Sequence, residues 1–257
     1  MNSAEKQELE QTVADLQGRF GLKAIHRLGQ TQTLPVPSIT TGFPALDDAL
    51  GMGGLPRGRL SEMMGVPTSG MATVALKVVA KAQASGGTAV YIDLERTFDP
   101  DYAARCGIQL SQLVLVRPDN VQQALAIVQD FAISGGMNVL VFDAPLRRLA
   151  NPRPAQALSS ALGRLMAPLS QTECALLFLT SLPTAGWLSL ASYPNGLALP
   201  HYAAVRLLIQ REDWLYQQRD IRGYRARVLV VKNKLGPAGQ QVSLAITFNG
   251  TVAGDNP

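Results

Sequence analysis

The sequence predicts an α/β domain with a mixed, mainly parallel central sheet flanked by helices, preceded by a small N-terminal helix–strand arm. Three observations carry that expectation. Between Arg59 and Ala144, strand-like apolar runs alternate with helix-periodic segments, the pattern of βαβ crossovers over a parallel sheet. The last third instead carries three successive strand-like runs, VRLLIQRE, RARVLVVKNK and QVSLAITFNG, separated by polar turns, which predicts antiparallel strands. Ahead of both, Ser3 to Phe20 places Leu9, Val13, Leu16 and Phe20 at steps of three and four, the spacing of an amphipathic helix.

Each element follows in order. The apolar AIHRLGQ completes the arm, and the Thr/Pro-rich stretch Thr31 to Gly42 reads as a linker, so residues 1–33 form the arm and 34–257 the core. RLSEMMG is a strand running into a glycine-containing loop, and Val74 to Gly87 is a helix stopped by its glycines. TAVYIDL is the next strand, a short helix spans Asp101 to Arg105, and LVLVRP is a further strand. A helix from Val121 to Ile133 ends in Ser134, Gly135 and Gly136, and NVLVFDA is a buried strand closing on an acid.

Composition sets the class. At 257 residues, with 47% hydrophobic and 16% charged content, the chain suits one large packed domain. The net charge of +4 permits an acidic partner without requiring one, and between Arg206 and Lys234 eight Lys/Arg stand against three Asp/Glu. Any anion-binding face should include that segment. Cys106 and Cys174 lack CxxC or His spacing and read as buried reduced thiols, which fits a cytoplasmic protein. The polar, acidic N-terminus is no secretory signal, and the longest charge-free run, Cys174 to Val205, is broken by prolines and polar residues, so no membrane span is expected.

The stretch GVPTSGMAT raises the functional question. A strand, a GxxxxGK[ST] loop and a helix bind phosphates because backbone amides and the helix N-terminus cradle the anion, while the Lys neutralises it and the hydroxyl holds magnesium. Gly65, Ser69, Gly70 and Thr73 keep the cradle here, but Met71 and Ala72 stand where the Lys and the hydroxyl belong. Losing such a cation costs several kcal/mol of transition-state stabilisation in a hydrolase, so ordinary ATP hydrolysis is not expected. Taken alone, the stretch is also compatible with a plain strand-to-helix turn.

Strung together, LQGRFGLKAIHRLGQ, TTGFPALDDALGMGGLPRGRLSEMMG, YIDLERTFDPDYAARCGI, NVLVFDA and VLVVKNKLGP resemble the bacterial RecA recombinases in order, spacing and wording, over about Glu5 to Phe248. The resemblance implies a RecA-like core with a phosphate loop. It implies that Glu95 matches the acid orienting the attacking water and Asp143 the acid of the magnesium shell. Asp99 and Tyr102 match the adenine-recognising pair, and Lys232 and Lys234 match lysines that reach a neighbouring subunit's nucleotide. The cofactor implied is ATP or ADP, weakly held, with magnesium compromised by Ala72.

Departures from the family run further. Ser181 stands where the family carries a Gln that senses the γ-phosphate, and PLRRLANPRP is much shorter than the family's first DNA-binding loop. Arg147, Arg148 and Arg153 there fit either phosphate contacts or a solvated loop. The second loop falls within Pro183 to His201, which holds no Lys, Arg, Asp or Glu; Trp187 and Tyr193 fit base stacking or a protein partner. The chain ends just after its last core strand, as if without the family's C-terminal domain. Two functions follow. One is a DNA-repair accessory of the damage response, without normal ATPase activity, that binds RecA, itself or a translesion polymerase complex, similar in logic to the RecA-like ImuA proteins. The other is an active DNA-dependent ATPase binding single-stranded DNA, its phosphate cation supplied in trans by Lys232 or Lys234.

Overall fold

The buried apolar runs become strands of one eight-stranded sheet. The computed structural model describes residues 3–21, 36–183 and 196–248. The chain divides into two units, Met1–Pro35 and Val36–Pro257. In the first, helix α1 (Ser3–Phe20) exposes Leu9 and Phe20. The expected arm strand at AIHRLGQ lies outside the described residues, as do Trp187 and Tyr193.

The second unit begins with a difference from the linker reading. Residues Ser38–Ile39 form β1, which pairs antiparallel with β2 (Leu55–Pro56), and Ile39, Thr41 and Phe43 are buried around helix α2 (Pro44–Leu50). The Thr and Pro residues signal a linker, yet Asp47 accepts from the Thr40 hydroxyl and the Thr41 amide and so fixes the turn.

The central sheet is mixed and mostly parallel, as expected. Strand β3 (Leu60–Gly65) pairs in parallel with β7 (Ala175–Ser181) and with β8 (Val205–Gln217). Beyond β7 follow β6 (Val139–Pro145), β4 (Ala89–Asp93) and β5 (Leu113–Val116), all parallel. On the other side β8, β9 (Asp220–Asn233) and β10 (Gln241–Thr247) are antiparallel, matching the three runs of the last third. Being covered on both faces, the parallel strands are near-continuous apolar runs.

Alternate residues feed two cores. Met63, Val141 and Leu177 face one, with α2, α3 (Met71–Ala84) and α4 (Pro100–Arg105). Met64, Phe142 and Phe178 face the other, with α5 (Val121–Ser134), α6 (Leu146–Leu149) and α7 (Pro152–Leu169), and there Phe142 and Phe178 stack at 4.5 Å. The PLRRLANPRP stretch, read as a loop, instead supplies α6 and the first turn of α7. Its prolines sit where a helix tolerates them, because the first-turn N–H groups have no intrahelical acceptor. Both cysteines are buried and free, and among the described residues no helix is long and apolar enough to cross a membrane.

Candidate functional site

At the carboxyl end of β3 the chain turns through residues 65–70 into α3, which starts at Met71, three residues earlier than the sequence suggested. Gly65 has no room for a side chain: a Cβ would strike Ser69 Oγ and lie 2.8 Å from the Ile209 carbonyl oxygen. Gly70 caps the helix at φ 99°, a left-handed conformation that favours glycine. Thr68, a β-branched residue, sits at φ 66°, which costs on the order of 1–3 kcal/mol and must be held by the surrounding fold. Met71, Ala72 and Thr73 form the first helical turn, whose amides lack intrahelical acceptors and favour an anion. Met71 is 8% exposed and packs into the first core, whereas Ala72 faces outward.

The loop forms one wall of a cavity of about 640 Å³. Thr73 Oγ1 lies 2.6 Å from Tyr102 Oη and 3.4 Å from Tyr224 Oη, so two phenols are anchored to the loop helix. Burial pushes the Tyr102 hydroxyl up to about 12. Trp214 and Phe248 meet the Tyr224 ring at 6.1 and 5.8 Å, giving an aromatic wall beside the phosphate loop. Arg211 lies 4.4 Å over the Trp214 ring, and its Nη1 donates to Thr68 Oγ1 at 3.4 Å. Asp99 caps α4 by accepting from the Tyr102 amide at 3.0 Å, which fixes the start of the helix carrying Tyr102.

The two acids of the resemblance reach the same cavity in unequal states. Glu95 accepts from Arg147 and, at 2.8 Å, from Arg148 Nε. The turn after Glu95 is held by the buried Asp93, which accepts from the Thr97 and Phe98 amides at 3.0 Å each and lies 3.5 Å from Arg117. Asp143, paired in register with Asp93, accepts from Tyr91 Oη at 2.6 Å. Burial raises the Asp143 carboxyl to about 6; the charges of Asp93 and Glu95 add to that, and the Tyr91 hydrogen bond opposes it.

The sign of the Asp143 shift yields a prediction. A carboxyl raised on folding stabilises the fold fully below its unfolded value of about 3.9, and that contribution is lost as pH rises through about 6. In EDTA, Asp143→Asn should therefore match the parent near pH 4 and exceed its unfolding free energy by about 2–3 kcal/mol near pH 7.5. Urea denaturation at the two pH values measures this, and parallel pH curves would remove the assigned burial.

Lys232 and Lys234 lie elsewhere. Lys232 Nζ donates to the Pro200 and His201 carbonyls at 2.6 and 3.3 Å, and Lys234 Nζ to His201 at 3.2 Å, tying both to the short helix α8 (Leu199–Tyr202). Burial, then the charge of Lys234, lowers the Lys232 pKa. Lys232 pairs with Arg206, which is level with Glu62, roughly 10 Å along the sheet from Gly65. Neither lysine lines its own chain's cavity. Arg147 and Arg148 keep exposed surface while paired with Glu95. Ser181, opposite both Gly65 and Pro145, lines the cavity with a small hydroxyl.

Comparison with known proteins places this geometry. A family model of the RecA N-terminal domain matches residues 7–253. Protein RecA of Clostridium novyi (strain NT) is 34% identical over 263 residues, covering 96% of this chain and 75% of its own. Protein RecA of Streptomyces avermitilis is 36% identical over 255 residues, covering 93% and 68%.

The chain belongs to the RecA family.

A crystal structure of the RadB recombinase shares the fold, with a TM-score of 0.64 and 21% identity over 82% of this chain and 97% of that one. RecA family membership raises the question of nucleotide and magnesium. The cradle of Gly65, Thr68 and Gly70 and the aromatic wall suit a nucleotide's phosphates and base. The magnesium donor set is depleted: Ala72 offers no oxygen, and Tyr91 occupies one oxygen of the Asp143 carboxyl. Sequence reading missed Tyr91, Asp93, Arg211, Trp214, Tyr224 and Phe248. For Arg211 the signal was the basic excess between Arg206 and Lys234, with no register to say which residues converge; Tyr91 and Asp93 lay inside the YIDLE run of the resemblance with no role attached.

Proposed function

We propose that this RecA-family chain is an accessory of DNA repair and recombination that engages RecA filaments, its own kind through the N-terminal arm, or a repair polymerase complex, without ordinary ATP turnover. The reading is carried by one observation: the phosphate cradle is intact while every charged group that turnover requires at it is replaced or engaged. Met71 and Ala72 remove the loop's cation and hydroxyl. Arginines hold Glu95, the group that would orient water, and Tyr91 holds Asp143. A general base needs a free lone pair within reach of the water it activates, so the Arg147–Glu95–Arg148 cluster opposes that role.

A second reading is favoured by Lys232 and Lys234, which stand together at the far end of the sheet from the phosphate loop, and by relatives named RecA. In that reading a neighbouring subunit lends the cation. The experiment is ATP hydrolysis by the purified chain with and without magnesium, single-stranded DNA and a bacterial RecA. The accessory role predicts no turnover alone and altered turnover by RecA. DNA-stimulated hydrolysis by the chain itself, lost in Lys232→Ala or Lys234→Ala, would establish the second reading instead.

A further inference from the structure

We infer that Arg211 supplies, from within the same chain, the phosphate-binding cation that position 71 lacks, so that the cavity holds a nucleoside polyphosphate without magnesium. Arg211 comes from β8, the strand beside β3, and reaches the loop from the side rather than from the helix that follows it. Two contacts aim it. Its guanidinium lies over the Trp214 ring at 4.4 Å, and Nη1 touches Thr68 Oγ1, the side chain of the loop residue held at positive φ. A planar guanidinium with several donors is well suited to phosphate oxygens, and stacking on an aromatic face holds that plane.

The charges around the cavity single out this residue. Among the described residues no carboxylate pairs with Arg211; its neighbour Glu212 pairs instead with Arg227 at 3.2 Å. Arg147, the other cation on the wall, is committed to Glu95. Among the described residues Arg211 is thus the cavity's cation without a carboxylate partner, adjacent to the amides of the helix start. Tyr102, Trp214 and Phe248 offer faces for a base on the same wall. With no hydroxyl at position 72 and Tyr91 on Asp143, the direct guanidinium contact takes over the charge neutralisation that a metal would share.

The test uses the full chain and two fluorescent probes, methylanthraniloyl-ATP and methylanthraniloyl-adenosine, followed by polarisation in EDTA and in magnesium. The triphosphate should bind equally well in both. Arg211→Gln should weaken it about tenfold, equivalent to about 1.4 kcal/mol, with Arg211→Lys recovering part of the loss. Arg225→Gln, an exposed arginine of the same hairpin outside the cavity, should change nothing. The adenosine probe carries no phosphate and should be indifferent to Arg211→Gln. The inference is overturned if the parent fails to bind the triphosphate, if binding requires magnesium, if Arg211→Gln binds like the parent, or if both probes weaken equally. It does not rest on the accessory role, since hydrolysis and probe affinity are read separately.

Discussion

Replacing Arg206 with Met should cost about 3–5 kcal/mol of unfolding free energy, the general cost of breaking a buried ion pair from one side. Arg206 Nε lies 2.6 Å from Glu62 Oε2, whose side chain is fully buried, and Thr180 Oγ1 donates to the other carboxylate oxygen at 3.0 Å. Arg206 also reaches Met64 Sδ at 3.0 Å. The charge on Glu62 is out of water, so removing its guanidinium leaves a desolvation penalty that hydrogen bonds alone offset poorly. For a chain of this size the melting temperature should drop by roughly 10 °C. The double variant Glu62→Leu/Arg206→Met should recover most of the loss, because deleting both charges removes the penalty with the attraction. Equal destabilisation in single and double variants would show that volume, not charge, decides. The pair also matters for the site: with Thr180 it ties β3, β7 and β8 together three residues before Gly65, one before Ser181 and five before Arg211.

How much of this was legible depended on whether the signal was local. Strands β3, β4 and β6 are short apolar runs bounded by turn residues, and their pairing in a parallel sheet followed from the helices between them. Helix α7 was not read from the sequence; Pro152, Pro154 and Pro168 fall within it, and two of them sit in the first turn, where no helix bond is lost. The strand–loop–helix turn could be read from the Gly65 to Gly70 spacing, while its reading as a phosphate cradle came with the resemblance. The aromatic wall could not: Trp214 meets Tyr224 only after a register shift between Arg211 and Trp214, and sequence has no handle on such a bulge. The Arg147–Glu95–Arg148 cluster joins residues about fifty positions apart, so the resemblance named Glu95 while its arginine partners were read as either phosphate contacts or a solvated loop.

Met71→Lys combined with Ala72→Thr should raise ATP affinity in magnesium by about 10²–10³-fold, since each change adds one charge-assisted or metal-mediated contact of about 1.5–3 kcal/mol, with some lost to ordering. The sites differ in how they accept the new groups. Position 72 is exposed and takes a hydroxyl without displacing anything. Position 71 is 8% exposed and packs against the core, so the lysine stem must follow the methionine's path while its ammonium turns toward the cavity, at a stability cost on the order of 1 kcal/mol. Turnover should stay low in this variant, because restoring the cation does not free Glu95 from Arg147 and Arg148. Adding Arg147→Ala and Arg148→Ala should then raise hydrolysis, and the dependence of affinity on Arg211 should shrink once a lysine shares the phosphates. Isothermal titration and steady-state ATPase assays on the loop variant, its Arg147→Ala/Arg148→Ala derivative and its Arg211→Gln derivative separate these effects. Unchanged affinity in the first variant would mean that the cavity has departed from nucleotide binding in more than its two missing charges, with Tyr224 and Ile246 crowding Gly70 as the first contacts to suspect.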